Sequence, residues 1–343
     1  MKKLAAVLTC VLLLLTAFAA CSSGEPGSTP PAQTSQSDSG AESPKSEGSR
    51  GETMRFIMIP VSVHAWFDEV HKGSEQMANF LSSELGYDVV VEYHAPQSGD
   101  IAEQNTILQQ AAATKPDGIA ICPIDIEGSR AIIEEIQAQG IPVTLINQMP
   151  PAGFTGLMGV GNDFKEQGEV AAKRMVELLG GKGKVAVMHG LATANTHIER
   201  YEAELAIFAQ YPDIEVIDAG FDNDDVETGQ QLAAAIIASN PDLNGFVCVD
   251  AAGPVGIANA VKESGKQDQI KVVGMDDVIE ILEAIDSGIM DSSSSTKPLL
   301  QGKMLCLMMW QGARGNEMPK FVDTGVGFIS QENVGAALDA AQE

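Results

Sequence analysis

The chain has 343 residues, enough for two ordinary domains, with 47 acidic against 21 basic side chains and a formal net charge of −26. A body this acidic is excluded from the proteins that hold nucleic acid or anionic lipid against a basic face.

The first segment, residues 1–20, reads as a secretory signal: Met1-Lys2-Lys3, then an apolar run from Leu4 to Ala20 broken only by Thr9, Cys10 and Thr16. The run is too short, and too soon followed by polar residues, for a comfortable membrane span. Its ending, Ala19-Ala20-Cys21, resembles a bacterial lipobox, in which the cysteine is lipid-modified and becomes the mature N-terminus. Cys21 is therefore the expected lipidation site, although Phe18 stands where such motifs usually carry Leu. Residues 21–52 continue as Ser, Gly, Pro, Thr, Gln and Glu without apolar periodicity. Such a segment buries too little surface to offset its chain entropy and is expected to be a disordered tether. A lipid at one end of a tether places the folded body at the extracytoplasmic face of the cell membrane.

From residue 53 onward, apolar strands alternate with helix-period segments. Expected strands are Arg55–Pro60, Asp88–Tyr93, Gly118–Cys122 and Pro142–Ile146, with helices at Asp68–Glu84, Ile101–Ala113 and Gly128–Gln139 between them. The pattern restarts with a helix at Lys165–Leu179. Strands at Lys184–Met188, Glu215–Ala219, Gly245–Val249 and Lys271–Met275 follow, separated by helices at Thr196–Gln210, Glu227–Ala238 and Pro254–Ser264. This spacing predicts an α/β protein of two similar Rossmann-like lobes, each a parallel sheet of βα units. An internal echo supports the division. Ile107 to Asp125 and Leu232 to Asp250 both run from an Ala-rich helix through a Pro-Asp turn to a short strand ending near Cys and Asp. The expected boundaries are residues 53–160 plus 296–325 for the N-terminal lobe and 161–295 plus 326–343 for the C-terminal lobe. Three crossings join them, near Gly161–Asp163, within Asp291–Thr296 and near Thr324–Gly327. The small polar run Asp291-Ser-Ser-Ser-Ser-Thr296 reads as a hinge. Cys122, Cys248 and Cys306 each lie in an apolar stretch and read as buried free thiols. No metal-ligand spacing is present, and neither metal nor cofactor is expected. Met304, Met308 and Met309 beside Trp310 read as a packed helix face.

Open parallel sheets bind ligands beyond the C-terminal ends of their strands, so the residues after each strand carry the function. There the chain resembles the periplasmic sugar-binding proteins of the ribose- and galactose-binding type, the receptors of ABC importers. The matching pieces in the first lobe are His64-Ala65-Trp66-Phe67 with Lys72-Gly73, and Gly140-Ile141-Pro142-Val143 with Asn147-Gln148. Gly161-Asn162-Asp163 with Gly168, Glu199-Arg200, Asp250, Gly274-Met275-Asp276, Lys297-Pro298 and the tail Ser330-Gln331-Glu332-Asn333-Val334 continue in register. The resemblance spans nearly all of Met54–Asn333 and implies a type I periplasmic binding protein that closes on its ligand. It also implies cleft positions for Asn195, His197 and Thr296, the last where the family has glutamine or asparagine. The family's arginine in the loop after the strand Lys184–Met188 is replaced by Ile198 or absent, and its aromatic in the next loop falls near Asp224.

The side chains at these positions suit a sugar, which presents apolar C–H faces and a rim of hydroxyls. Trp66 and Phe67 can stack on a ring, and Asp250 and Asp276 can accept from adjacent hydroxyls. Asn147 and Gln148 both donate and accept, and His64 adds a donor. Competing readings exist for several of them. Trp66 and Phe67 can serve as core staples where a helix opens, and Asp250 or Asp276 can be a helix N-cap. The lost arginine and gained acids disfavour an anionic ligand and favour a neutral sugar or polyol. No GxGxxG, Walker loop or GxSxG elbow is present, so an enzyme is not expected. The reading is a lipid-anchored binding protein that delivers a sugar or polyol to an ABC permease. The alternative is a receptor that presents a sugar-like signal, such as a furanosyl autoinducer, to a membrane sensor.

Overall fold

Strand and helix alternate from the first described residue onward, except where two strands follow one another at residues 143–161 and 321–330. The computed structural model describes residues 53–97 and 99–342. The expected signal, Cys21 and the whole expected tether lie outside them. In chain order come β1 (Thr53–Ile59), α1 (Ala65–Leu85), β2 (Asp88–Tyr93), α2 (Ile101–Ala113), β3 (Gly118–Ile121), α3 (Ile126–Ala138), β4 (Val143–Ile146) and β5 (Met158–Gly161). The second set is α4 (Phe164–Leu179), β6 (Gly183–His189), α5 (Asn195–Phe208), β7 (Ile214–Phe221), α6 (Val226–Ser239), β8 (Gly245–Cys248), α7 (Gly253–Ser264) and β9 (Lys271–Met275). It closes with α8 (Ile279–Asp286), β10 (Ser292–Ser295), α9 (Pro298–Ala313), β11 (Phe321–Asp323), β12 (Gly327–Ser330) and α10 (Val334–Gln342).

Two six-stranded sheets result, ordered β11-β5-β4-β3-β1-β2 and β12-β10-β9-β8-β6-β7. Pairing is parallel throughout, except that β12 runs antiparallel to β10. The central strands β3 and β8 are buried at every residue, as expected where helices cover both faces and the strand reads as a continuous apolar run. They are also the strands of the internal echo, and they hold the same place in their two sheets.

The helices start where short acids follow a strand or turn. Asp100, Asp125, Asp163 and Asp225 each accept a backbone N–H of the helix they open, at 2.8–3.0 Å. In the first sheet, α9 packs against α1 with Met308, Met309 and Trp310 buried, which is the methionine face read from the sequence. The two helices approach so closely that a Cβ at Gly302 would lie 1.9 Å from the Val70 carbonyl oxygen. Only glycine fits there. Cys248 and Cys306 are buried free thiols, whereas Cys122 is half-buried.

One expectation fails. The serine run is not a pliable crossing but strand β10, fully buried between β9 and β12. Its composition signals a loop, yet every hydroxyl has a partner. Ser292 donates to Asp291 Oδ1 (2.9 Å), Ser293 to the Asp276 carbonyl (2.5 Å), Ser294 to Met275 Sδ (3.2 Å) and Ser295 to Asp277 Oδ2 (2.7 Å). Satisfied hydroxyls can be buried at little cost, and their small volume lets neighbouring elements close over them. The chain passes between sheets only after this strand, at Thr296–Lys297, where Lys297 takes a left-handed conformation (φ 56°).

Candidate functional site

The C-terminal strand ends of the first sheet place His64, Trp66, Phe67, Asn147 and Gln148. His64 is the N-cap of α1, and its Nδ1 accepts the Trp66 amide at 3.1 Å. This cap fixes the start of the helix and turns Trp66 and Phe67 inward, both buried and in edge-to-face contact at 5.0 Å. The core-staple reading is therefore met in part. The Trp66 indole nevertheless reaches a polar partner, donating to Thr296 Oγ1 at 2.8 Å. Asn147 follows β4 with φ 53°, a conformation asparagine tolerates better than most residues. Its Oδ1 accepts from Gln301 at 3.2 Å, which also donates to the Thr296 carbonyl at 2.9 Å. Gln148, half-buried, follows it.

The second sheet presents acids at the corresponding edge. Asp276 follows β9 with φ 67° and is nearly fully buried. Its Oδ1 accepts Thr296 Oγ1 at 2.6 Å and Gln167 Nε2 at 3.4 Å. It does not cap α8, whose N-cap position is Val278. Asp250 follows β8 and does part of the work of a cap: Oδ1 accepts the Gly253 amide at 2.8 Å. Its other oxygen, Oδ2, is buried without a hydrogen-bond partner. Asp222, fully buried, stands opposite, with the Cys248 thiol donating to both carboxyls. Asn195 opens α5 with its side chain exposed. His197 lies two residues further along, its Nδ1 accepting the Leu191 amide at 2.9 Å. That bond leaves the proton on Nε2 in the neutral ring.

The charges of these groups follow from their surroundings. Burial raises the Asp250 pKa well above the carboxylate range, and Asp224 and Asp222 push it further. Burial likewise raises Asp222. The pair thus keeps a proton where an isolated acid would not. Burial, reinforced by Arg200, lowers His197 to about 4, so it stays neutral. His64 is driven the other way: burial opposes its charge, but Asp224, then Asp276 and Asp68, outweigh it and raise its pKa. Protonation there has a structural cost, because the Nδ1 lone pair already holds the Trp66 amide.

Two contacts bring the edges together. His64 Nε2 of the first lobe lies 3.5 Å from Asp224 Oδ1 of the second. A relay of hydrogen bonds runs from Trp66 through Thr296, Asp276 and Gln167 to Arg200, which donates to Gln167 Oε1 at 2.7 Å and to the Val249 carbonyl at 2.9 Å. Aromatic and amide groups from one side thereby meet carboxylates from the other. Two surface hollows, of about 450 and 360 Å³, lie elsewhere, one between α6 and α7 and one against Arg174 and Asp291; neither gathers such groups.

Sequence reasoning did not single out three participants. Asp224 stands only where the resemblance puts an aromatic, and its neighbour Asp225 is the N-cap of α6. The signal that separates them is backbone, since Asn223 and Asp224 both have positive φ (61° and 58°) and so turn away from the helix. Gln167 and Gln301 sit on helix faces where glutamine normally meets water, and no local pattern marks them as buried.

Two matching parallel-sheet lobes whose strand ends share one cleft define the class of two-lobed solute-binding proteins. Residues 56–317 match the family model described as periplasmic binding protein domain, and the chain belongs to that family. It is 24% identical over 233 residues, 68% of this chain and 72% of the relative, to the D-apiose import binding protein of Actinobacillus succinogenes. Among solved structures, an ABC transporter periplasmic solute binding protein from Actinobacillus succinogenes with bound D-allose superposes with a TM-score of 0.75. It is 20% identical, over 82% of this chain and 99% of that one. A sugar-binding protein of a sugar ABC transporter from Bacillus halodurans gives 0.73 at 27% identity, over 83% and 100%.

Proposed function

We propose that this chain is an extracytoplasmic lipoprotein, anchored through Cys21, that captures a sugar or polyol between its lobes and delivers it to an ABC permease without converting it. The observation that carries the reading is the pairing at the cleft. Trp66 and His64 arrive from the first lobe, and Asp224, Asp250 and Asp276 from the second. Ring faces and charged acceptors together are what C–H faces and hydroxyls require, and the excess of acids disfavours an anionic group. The relatives, among them a D-apiose import binding protein and a sugar-binding protein of an ABC transporter, support the same class. Capture works by hinge closure at the three crossings, which brings the two edges onto one ligand. Micromolar affinity corresponds to about −8 kcal/mol, within reach of a stacked aromatic and several charge-assisted hydrogen bonds.

A thermal-shift screen of the full chain against pentoses, hexoses and polyols tests this, followed by calorimetry on any hit. A ligand present at a hundredfold excess over its Kd adds about 2.7 kcal/mol of stability. Absence of any stabilising polyhydroxylated compound, or turnover of a bound one, overturns the reading.

A further inference from the structure

The three crossings between the lobes are bound to one another as well as to their sheets. Between the first and third, the Thr324 amide and hydroxyl both donate to the Gly161 carbonyl, at 2.8 and 3.0 Å, and so extend the β5–β11 pairing. Between the first and second, Gln301 Nε2 donates to Asn162 Oδ1 (3.3 Å) and to the Thr296 carbonyl (2.9 Å). Between the second and third, beyond the β10–β12 pairing, the tie is the Lys297 side chain. Its Nζ donates to the Thr324 carbonyl at 3.0 Å. Its stem lies in the space left by Gly327, where a Cβ would come 3.3 Å from Lys297 Cε.

Lys297 is also the residue at which the chain turns. Before it stands β10 of the second sheet and after it α9 of the first lobe, so its φ and ψ set the angle between them. It is half-buried and left-handed (φ 56°, ψ 58°), with its amide held by Ser295 Oγ at 2.8 Å. Lysine has neither the missing Cβ of glycine nor the short polar side chain of asparagine that offsets the strain of this region. Among the described residues its amine forms no ion pair, although the chain carries 47 acids; it goes to a backbone carbonyl instead. The side chain thus holds a strained turn through one charge-assisted hydrogen bond, which is lost once the backbone rotates.

We propose that Lys297 is the positioning residue of the hinge: its grip on the third crossing holds the turn at which the two cleft edges meet, and rotation there parts the lobes. Hinges are a few element-terminal residues that absorb a large φ/ψ change, and at Lys297 strain favours release while the amine favours closure. The inference rests on capture by closure and not on what is captured, so its test needs no sugar.

The two tryptophans of the chain are the reporters. Trp66 Nε1 donates to Thr296 between the lobes, whereas Trp310 is buried in the α1–α9 layer of the first. Hydrogen exchange of both indole N–H groups is followed by NMR in the full chain. In Lys297→Met, which keeps the strain and removes the amine, exchange at Trp66 quickens about tenfold, the effect of losing one hydrogen bond to a charged group, and Trp310 is unchanged. Lys297→Gly, which removes strain and amine together, quickens it less, and Lys297→Arg, which keeps a charged donor, restores the slow rate. A merely structural role would make glycine the most disruptive of the three and move both signals. The His64 ring resonances report the contact with Asp224 after β7, with three strands between β7 and β10, and they shift together with Trp66. If Lys297→Met does not fold, Lys297→Gly against Lys297→Arg decides by the same signals. Four results each overturn the inference: a Trp66 rate equal to that of the unaltered chain, a parallel change at Trp310, glycine as fast as methionine, or a Trp66 change that leaves His64 unmoved. All four leave the proposed sugar capture standing, since its failure is read in the thermal-shift screen.

Discussion

The first sheet runs β11-β5-β4-β3-β1-β2 and the second β12-β10-β9-β8-β6-β7, so each strand has a counterpart in the other lobe. Their scaffolds agree down to the buried four-residue central strands, Gly118–Ile121 and Gly245–Cys248. Their cleft edges do not agree. After β1 and β4 stand His64, Trp66, Phe67, Asn147 and Gln148, whereas after β7, β8 and β9 stand Asp222, Asp224, Asp250, Asp276 and Asp277. A parallel sheet needs its strand interiors for packing but leaves its end loops free, so similar scaffolds can carry aromatics and amides on one side and acids on the other. The lesson is that two similar scaffolds present unlike surfaces, which under the proposed function a ligand would meet together on closure.

The sharpest way to break this comparison is to remove one group from each edge. Asp276→Ala strips the carboxylate that holds Thr296 and Gln167, and it should weaken binding of the tightest identified ligand about 100-fold, roughly 2.7 kcal/mol. Gln148→Ala on the opposite edge should cost no more than about tenfold. Equal losses by calorimetry would mean that the acidic side does not dominate.

A second test concerns scaffold and not site. Gly302→Ala forces a methyl against the Val70 carbonyl in the α1–α9 contact of the first lobe, and it should lower stability by about 1–3 kcal/mol in urea unfolding. Ligand affinity of the folded fraction should change little. A stability unchanged by the substitution would show that the two helices are free to move apart.

The smallest expected effect is a pH dependence confined to the second lobe. Burial raises the Asp277 pKa to about 7. An acid whose folded pKa is raised binds more protons folded than unfolded, so its contribution falls as pH rises from the unfolded value toward 7 and stays low above that. Asp277→Asn, which keeps an acceptor for the Ser295 hydroxyl, should therefore stabilise the protein more at pH 8 than at pH 4. Thermal melts that shift equally at both pH values would place the titration elsewhere.

Much of the scaffold was legible because its signals are local. Apolar runs such as Gly-Ile-Ala-Ile at β3 and the acid before each of α2, α3, α4 and α6 mark strand and helix start without reference to distant residues. Strand β5 was missed, since Met158-Gly-Val-Gly161 is short and half glycine. The serine strand was misread because composition reports average exposure, while its burial depends on partners that lie 17 to 19 residues away in sequence. At the cleft, positions after strand ends could be named in advance, but the division of labour among acids could not. Asp225 spends its carboxylate on a helix amide, Asp250 spends one oxygen and keeps the other, and Asp224 turns to the opposite lobe.

The residue pattern by itself determined the alternation of strand and helix, the duplication into two lobes and the set of strand-end loops, because hydrophobic period and turn chemistry act within a few neighbours. Tertiary structure alone decided which side chains share charge and hydrogen bonds. Trp66 and Thr296 are 230 positions apart, yet they meet at 2.8 Å because α9 returns to the first sheet after the chain has built the second. Electrostatic balance depends on distance in space, and only the packed lobes set that distance.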